Sequence, residues 1–205
     1  MKRDRSLSAS SHWLGGTMAA ALLVIAWDAS AAGPLLVADT FTATTANMTP
    51  AGVNLRMQII QWQDAAARTE VVATLAADPD ASTLAKLPTV GYVWPNGSPV
   101  GYSVKYANHA PEPNGNERVT LVTDKRLGSY DFKGWSAPTA GGNATPYSVI
   151  ELEVNSSGTG TGTLSLAAEV LLDETTGKVA LKPGAPSLLT NVKREPSGTN
   201  KSSHP

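Results

Sequence analysis

Histidine is the residue type that most restricts the chemistry open to this chain of 205 residues. Of three histidines, His12 and His204 lie near the two ends of the sequence, which leaves His109 in the central region. A zinc or iron site with several histidine ligands is therefore excluded within one folded domain. A Ser-His-acid triad would have to use His109, but no G-x-S-x-G motif supplies its nucleophile. We interpret His109 as a solvated residue at the end of a strand.

Paired carboxylates are the second candidate for chemistry. Glu151 and Glu153 alternate with apolar residues in one predicted strand, so their side chains share a face about 7 Å apart. That separation allows general acid and base work, as in a hydrolase. A second acidic region, with Asp124 and Asp131, lies beside a basic pair in a long loop. The alternative is that these residues form the solvated side of a half-buried strand and a charged loop.

Aromatic side chains give the strongest indication of a binding site. Four of them belong to two adjacent predicted strands joined by a tight turn, and a fifth lies in the long loop 124–146. These residues are Tyr92, Trp94, Tyr102, Tyr106 and Trp135. Tyr102 and Tyr106 are expected on one face of their strand, and with Trp135 they would line a pocket for a small apolar ligand. The alternative is that the rings belong to the core of the domain.

Cofactor and metal sites find no support in the sequence. It contains no cysteine, so disulfides and thiolate metal sites are excluded. No acidic run has the spacing of a calcium loop, D-x-[DN]-x-[DN]-G. The glycine- and threonine-rich stretch 158–163 lacks the lysine and the following helix of a phosphate-binding loop, and we interpret it as a flexible hairpin turn. We therefore expect neither a cofactor nor a metal.

Short strands are the elements expected to position these residues. From 53 to 62 the sequence alternates apolar and polar side chains with a period of two. Similar runs, separated by glycine, proline and asparagine turns, follow from Val90 to Val192. About seven such strands predict an antiparallel sheet, which could curl into a barrel or fold into a sandwich.

One helical excursion interrupts the strands. Asp64 is expected to cap a helix that runs to the Asp78-Pro79 break, because proline cannot continue the hydrogen-bond ladder. A short second helix is expected through Leu84 and Leu87. We therefore predict an α+β fold, a single domain with a largely antiparallel curled β-sheet and one N-terminal helical hairpin.

The N-terminus carries the pattern of an export signal. Lys2, Arg3 and Arg5 begin it, an uncharged apolar run extends from Trp13 to Trp27, and Ala29-Ser30-Ala31 fits a signal peptidase site. Because a spanning helix needs about 20 apolar residues, we predict a cleaved signal peptide, with an uncleaved membrane tether as the alternative. The signal predicts a periplasmic or extracellular location, and the absence of disulfides together with the alanine-rich signal favours a bacterial source.

The composition of successive segments predicts the domain boundaries, and the net charge limits the classes of partner. We assign residues 1–31 to a signal peptide, 32–52 to a lead-in segment, 53–193 to a single α+β domain and 194–205 to a disordered tail. Within the lead-in segment, a short first strand from Leu35 to Phe41 is the alternative to a mobile chain. With 16 basic and 17 acidic residues, the net charge is −1, which offers no footprint for nucleic acid. The expected partner is a small apolar ligand or an envelope protein, with no membrane span after signal cleavage.

Several short motifs resemble those of a group of uncharacterised exported bacterial proteins. They are Gly101-Tyr102-x-x-x-Tyr106-Ala107, Glu117-Arg118-Val119-x-Leu121-x-Thr123-Asp124, Tyr147-x-x-Ile150-Glu151-Leu152, Gly160-x-Gly162-x-Leu164-Ser165-Leu166-Ala167 and Asn191-Val192-Lys193. The resemblance covers roughly Val53 to Arg194 and implies that this stretch is one unit, but it implies no activity.

Two functions from different classes are therefore expected. The first is an exported, non-catalytic binding or interaction domain. The alternative is a hydrolase-like periplasmic enzyme that uses a carboxylate pair, and it predicts a carboxylate of raised pKa inside a cleft.

Overall fold

A computed structural model describes residues 37–77, 82–96, 98–131, 135, 146–166, 168–173, 178–183 and 186–196. The predicted signal peptide, much of the long loop and the residues after Pro196 lie outside this set. The strands are β1 (Asp39–Thr45), β2 (Asn54–Ile59), β3 (Gly91–Pro95), β4 (Tyr102–Pro111), β5 (Glu117–Thr123), β6 (Val149–Val154), β7 (Thr159–Ser165), β8 (Ala168–Asp173), β9 (Lys178–Pro183) and β10 (Ser187–Glu195). The helices are α1 (Ala65–Ala77) and a one-turn 3-10 helix (Leu84–Lys86).

Eight strands close into a barrel in the order β1-β10-β7-β6-β5-β4-β3-β2. Every pair of neighbours in this barrel is antiparallel. Strands β8 and β9 pair with each other in a separate two-stranded sheet. They lie between β7 and β10 in the sequence but not in the barrel. The prediction of a largely antiparallel, curled sheet is confirmed. Of the two alternatives, a barrel and a sandwich, the structure has the barrel.

Side chains from alternate positions of the barrel strands form a buried core. An eight-stranded barrel has an interior just wide enough to be filled by side chains or to hold one small ligand. The fully buried residues include Phe41, Met57, Tyr102, Leu121, Ile150 and Leu164. Burial of one such side chain contributes about 1.5–3 kcal/mol, so the interior supplies much of the stability of the fold.

Helix α1 forms where the sequence predicts it. The Asp64 carboxylate accepts a hydrogen bond from the Ala67 amide at 2.8 Å, which is the geometry of an N-cap. Val71 and Leu75 are buried one turn apart and pack with Val122 on the outside of the barrel. The helix therefore covers one outer face of the sheet.

The second predicted helix is replaced by a single turn. Instead of an α-helix through Leu84 and Leu87, residues Leu84–Lys86 form a 3-10 turn, and residues 78–81 lie outside the described chain. The stretch before Pro88 is too short to repay the cost of nucleating an α-helix. The described chain thus supports a mostly β fold with one α-helix, and not a helical hairpin. Within it, no helix has the length and apolar character needed to cross a membrane.

Lys105 of β4 is a buried cation that holds this turn in place. Its exposed fraction is 5%, and its ammonium donates to the carbonyl oxygens of Ala85 at 3.1 Å and Leu87 at 2.7 Å. The third donor bonds the Thr89 hydroxyl at 3.0 Å. All three ammonium protons therefore have acceptors, which offsets the burial of the charge.

We expect Lys105→Met to lower the free energy of unfolding by about 2 kcal/mol, because three charge-assisted hydrogen bonds are lost while the cost of burying the charge is relieved. Urea unfolding followed by circular dichroism measures this change. Lys86→Met removes an exposed lysine of the same turn and should cost less than about 0.5 kcal/mol. Equal costs for the two variants would show that Lys105 does not hold the turn.

The barrel extends beyond both predicted domain boundaries. Strand β1 pairs with β10 and β2, so Asp39–Thr45 is a barrel strand and not part of a lead-in segment. Its threonines favour a strand because they are β-branched, and Phe41 is fully buried in the core. At the other end, Arg194 and Glu195 belong to β10 and not to a tail.

The glycine- and threonine-rich stretch 158–163 also differs from its predicted structure. Most of it belongs to strand β7, which lies between β6 and β10, and not to a hairpin turn. A Cβ at Gly160 would overlap the carbonyl oxygen of Glu153 and come within 3.1 Å of the Val154 Cα. Glycine is therefore required here by the close approach of two strands, and not by a turn.

Candidate functional site

Five side chains form a polar layer over the core at one end of the barrel. They are Asp39 of β1, Trp62 after β2, His109 of β4, Glu117 of β5 and Arg194 of β10. The four strand residues each lie two positions from an apolar core residue of the same strand. Strand side chains alternate between faces, so the pattern that fills the core also directs these four inward.

The polar layer is a closed circuit of contacts. Arg194 donates to Glu117 Oε2 at 2.6 Å, and its Nε lies 3.3 Å from Asp39 Oδ1. Glu117 Oε1 is 2.5 Å from His109 Nδ1. The Trp62 indole N–H donates to Asp39 Oδ2 at 3.0 Å, and the rings of Trp62 and His109 lie 4.5 Å apart. Each member therefore has at least two partners within the layer.

The one guanidinium of the polar layer is paired with both of its carboxylates. Burial acts to raise the pKa of Glu117, but the hydrogen bonds from Arg194 and His109 outweigh it and hold this pKa below its usual value. Glu117 and His109 form a carboxylate–imidazole pair, the arrangement that orients a general base. Both carboxylate oxygens are already engaged, by His109 and by Arg194. The layer is thus suited to closing the end of the barrel.

His109 is more constrained than its sequence interpretation suggests. It does lie near the end of a strand, and 48% of its side chain is exposed. It is nevertheless held by Glu117 and stacked on Trp62. Among the residues that the structure describes, no group of three His, Asp or Glu side chains could hold a metal ion.

A groove of about 650 Å³ crosses the outside of the barrel over β10, β1, β2 and β3. We term it the outer groove. Its lining includes one row of residues across the sheet, in which Lys193 of β10 pairs with Thr42 of β1. Thr42 pairs in turn with Arg56 of β2, and Arg56 pairs with Trp94 of β3. The row places two cations and one indole ring on a single face.

A β-bulge shapes one side of the outer groove. The register of β10 against β1 shifts between the pairs Thr42–Lys193 and Thr44–Thr190. Asn191, in this shift, has a φ of 53°, in the left-handed region that asparagine tolerates. A bulge bends its strand and increases the local twist, and Asn191 lines the groove as a result.

Trp94 is fixed at the other end of the row. Its ring stacks on Tyr92 with 5.4 Å between centroids. Its indole also lies against Gly101, where a Cβ would come within 2.7 Å of Nε1. Trp94 is half-buried and lines the outer groove, so its ring is held in one position while part of it remains accessible.

The described lining of the outer groove is positively charged. Its charged members are Arg56 and Lys193, and both are exposed. Neither forms an ion pair with any residue in the described ranges. Glu195 lies two residues beyond Lys193 on the same strand but does not line the groove. The described lining of the outer groove is therefore positively charged, although the net charge of the chain is −1.

The structure does not bring the five predicted binding residues into one cavity. Tyr102 and Trp135 belong to the barrel core. Tyr106 lies on the outside of the barrel near α1, and Tyr92 and Trp94 lie on another outer face. Of the five, Trp94 lines the outer groove.

A bulge in β4 separates Tyr102 from Tyr106. The register of β4 against β5 shifts between Val104 and Tyr106, so the alternation that would place both rings on one face is broken. Tyr102 therefore points into the core, whereas Tyr106 packs beside α1. Burial raises the pKa of Tyr106, an effect that the charge of Arg68 partly opposes.

The described part of the loop 124–146 forms hydrogen bonds to the end of the barrel opposite the polar layer. The amides of Gly128 and Tyr130 donate to the Tyr102 hydroxyl at 3.0 and 3.3 Å. Trp135 packs against Gly128, and its indole N–H donates to Asp131. Asp131, one of the two aspartates of the predicted polar site, therefore anchors the buried Trp135 ring. Residues 132–134 and 136–145 of this loop lie outside the described chain.

The carboxylates of the enzyme hypothesis lie on the outside of the barrel. Glu151 and Glu153 line a shallow groove of about 430 Å³ over β6, β7 and β10. Glu153 accepts hydrogen bonds from Asn116 at 2.6 Å and Asn114 at 3.0 Å, and these bonds lower its pKa. This direction is opposite to the raised pKa that the enzyme hypothesis predicts.

Comparison with protein-family models, with curated proteins and with solved structures finds no match. The resemblance to a group of exported bacterial proteins therefore stays a prediction.

Proposed function

We propose that this protein is an exported, non-catalytic binding domain that holds its ligand in the outer groove. The observation that carries the proposal is the row of Lys193, Thr42, Arg56 and Trp94 across four neighbouring strands. Trp94 belongs to the predicted set of binding aromatics. Because Tyr102 and Trp135 are buried among core side chains, the proposal places the binding site on the outer face and not in an internal pocket.

The outer groove suits ligand binding better than the polar layer does. In the polar layer Arg194 is already paired with Asp39 and Glu117. In the outer groove Arg56 and Lys193 have no ion-pair partner among the described residues. Paired strands also hold the backbone positions of the lining residues in place, which lowers the entropy cost of binding. Export to the periplasm or exterior is proposed from the N-terminal signal pattern.

We expect Trp94→Ala to weaken binding to envelope polymers of the source organism at least about tenfold, because Trp94 is the one large ring in the described lining of the groove. Co-sedimentation of the purified protein with washed envelope polymers, at low ionic strength, measures the bound fraction. Tyr130→Ala is the matched control, since Tyr130 is a ring with 49% exposure that does not line the groove. Urea midpoints of both variants confirm that each remains folded.

Two results would contradict the proposal. Binding that survives Trp94→Ala, or that falls equally with Tyr130→Ala, would remove the outer groove as the site. Wild-type protein that stays in the supernatant with every envelope polymer, and that leaves the envelope as a bare chain by native mass spectrometry, would remove the binding function.

A further inference from the structure

We infer that the outer groove binds an acidic glycan, a chain of sugar rings that carry carboxylates. This inference rests on the proposed function, because it names the ligand class for the same groove. Three features of the groove's described lining carry it: two cations without an ion-pair partner among the described residues, one indole ring, and a set of short uncharged polar side chains between them.

The cations determine the charge of the ligand. Arg56 and Lys193 are exposed, and neither has an ion-pair partner in the described ranges. A guanidinium binds a carboxylate through two parallel hydrogen bonds, and an ammonium binds it as a point charge. No acidic side chain is among the described residues that line the groove, so an incoming carboxylate meets no like charge there.

The ring and the polar side chains determine that the ligand is a sugar. The face of an indole ring carries negative charge density and attracts the polarised C–H groups on one face of a pyranose. Thr42, Thr44, Asn54 and Asn191 supply hydroxyl and amide groups that both donate and accept hydrogen bonds. Thr44 already donates to Asn54 Oδ1 at 3.0 Å, and sugar hydroxyls can pair with the capacity that remains, whereas an apolar ligand offers no such partner.

The spacing of the row determines the length of the ligand. Neighbouring strands lie about 4.8 Å apart, which is close to the length of one pyranose unit. A glycan laid across the strands thus places one sugar over each of β3, β2, β1 and β10. The first sugar stacks on Trp94, the second presents a carboxylate to Arg56, and the fourth presents one to Lys193. The smallest ligand that spans the row is a tetrasaccharide.

Single-stranded nucleic acid is the other polyanion that would use a ring and cations. It binds through a series of phosphate contacts and a basic surface. The outer groove has two cations in its described lining, and the chain has a net charge of −1. An anionic membrane surface would likewise need a cluster of basic residues. The glycan is therefore the occupant that the groove fits.

Isothermal titration calorimetry with linear tetra-uronates tests this inference. The probes are the tetramers of galacturonate, mannuronate and guluronate, each beside its uncharged methyl ester. At least one tetra-uronate should bind, and its methyl ester should bind about 25-fold more weakly, because both carboxylate contacts are lost, each worth about fivefold. The corresponding disaccharide should also bind about tenfold more weakly, since it cannot reach both cations. Added salt should weaken the binding, because the ion pairs are exposed.

Charge-removing variants assign the contacts. Arg56→Gln and Lys193→Gln should each lower the affinity for the tetra-uronate about fivefold, the value of one exposed charge-assisted contact. Lys86→Gln removes an exposed cation outside the groove and should leave the affinity unchanged. Trp94→Ala should lower the affinity for the acid and for its methyl ester by the same factor, because the ring contacts the sugar and not the carboxylate.

The outcomes separate this inference from the function on which it rests. If no tetra-uronate binds while envelope polymers still bind through Trp94, the ligand class is wrong and the site remains. The ligand class is also wrong if the methyl ester binds as well as the acid, or if oligothymidylate or phosphatidylglycerol vesicles bind more tightly through Arg56 and Lys193. If Trp94→Ala changes neither tetra-uronate nor envelope binding, both proposals fail.

Discussion

Gly128→Ala is expected to lower the free energy of unfolding by about 3–5 kcal/mol, because the added methyl group meets both backbone strain and a buried ring. Gly128 has a φ of 81°, where side chains other than glycine are strained. Its added Cβ would overlap the Trp135 ring and lie 2.7 Å from the Trp135 Cβ. Because Trp135 is 3% exposed and fixed in the core, its ring has little room to move. Urea unfolding measures the loss.

Gly115→Ala supplies the matched control for this substitution. Gly115 has a φ of 84°, but a Cβ there would have no neighbour within 4 Å. Its cost should therefore be the backbone strain alone, about 1–2 kcal/mol. In a Trp135→Ala background, the cost of Gly128→Ala should fall to the same range, because the clash is gone. Equal costs for Gly128→Ala and Gly115→Ala in the wild-type background would show that Trp135 does not pack there.

Arg194→Met is expected to lower the free energy of unfolding by about 2–4 kcal/mol at neutral pH, because it leaves two partly buried carboxylates without their cation. Those carboxylates belong to Asp39 and Glu117. The matched control is Arg118→Met, which breaks one ion pair to Glu112 from a side chain that is 56% exposed. That control should cost less than about 1 kcal/mol. Urea unfolding at neutral pH compares the two variants.

The pH dependence of this cost tests its electrostatic origin. The pKa of Glu117 is lower in the folded protein than its ordinary value of 4.5. The stabilisation from its ionised form is therefore fully present above that ordinary value and is lost as the pH falls through the folded pKa. The difference in stability between wild type and Arg194→Met should thus shrink from pH 7 toward acid. A difference that stays constant over this range would assign the cost to lost packing instead.

The parts of the fold that depend on local contacts were predictable from the sequence. Helix α1 begins after Asp64 because that carboxylate caps the first turn, and the cap and the break at Pro79 lie close to the helix in sequence. Alternation of apolar residues likewise locates β2, β3 and β5. Neither signal states whether the sheet closes, because closure depends on the pairing of β1 with β10.

Irregularities of the strands were not predictable in the same way. The bulge between Val104 and Tyr106 reverses the face on which later residues of β4 lie. Tyr102 and Tyr106 therefore separate, although an unbroken strand would place them together. In β7, glycines that resemble turn residues are instead required where Gly160 approaches the β6 backbone. Both features arise from contacts between strands, which a single sequence does not display.

The polar layer had a signal in the sequence that short motifs do not capture. His109 lies two residues after Ala107, and Glu117 lies two residues before Val119, both buried core residues. Extending the inward alternation of β5 by one step from Val119 would have directed Glu117 over the core, whereas the inward position of His109 depends on the bulge in β4. Their meeting with Arg194 needs the closed barrel, so no spacing rule along the chain could show it. Trp94 was selected from the sequence as an aromatic of a sheet, but its row with Arg56 depends on register.

The pairing of β1 with β10 is also the folding step that closes the barrel. The two strands come from opposite ends of the barrel sequence, so their contacts are the least local in the fold. Loop-closure entropy opposes such contacts, and barrels of this kind fold over milliseconds to seconds. Until β1 and β10 meet, each presents an unpaired edge to which another chain can add. The time before closure, more than the stability of the finished barrel, therefore determines how many chains associate before they fold.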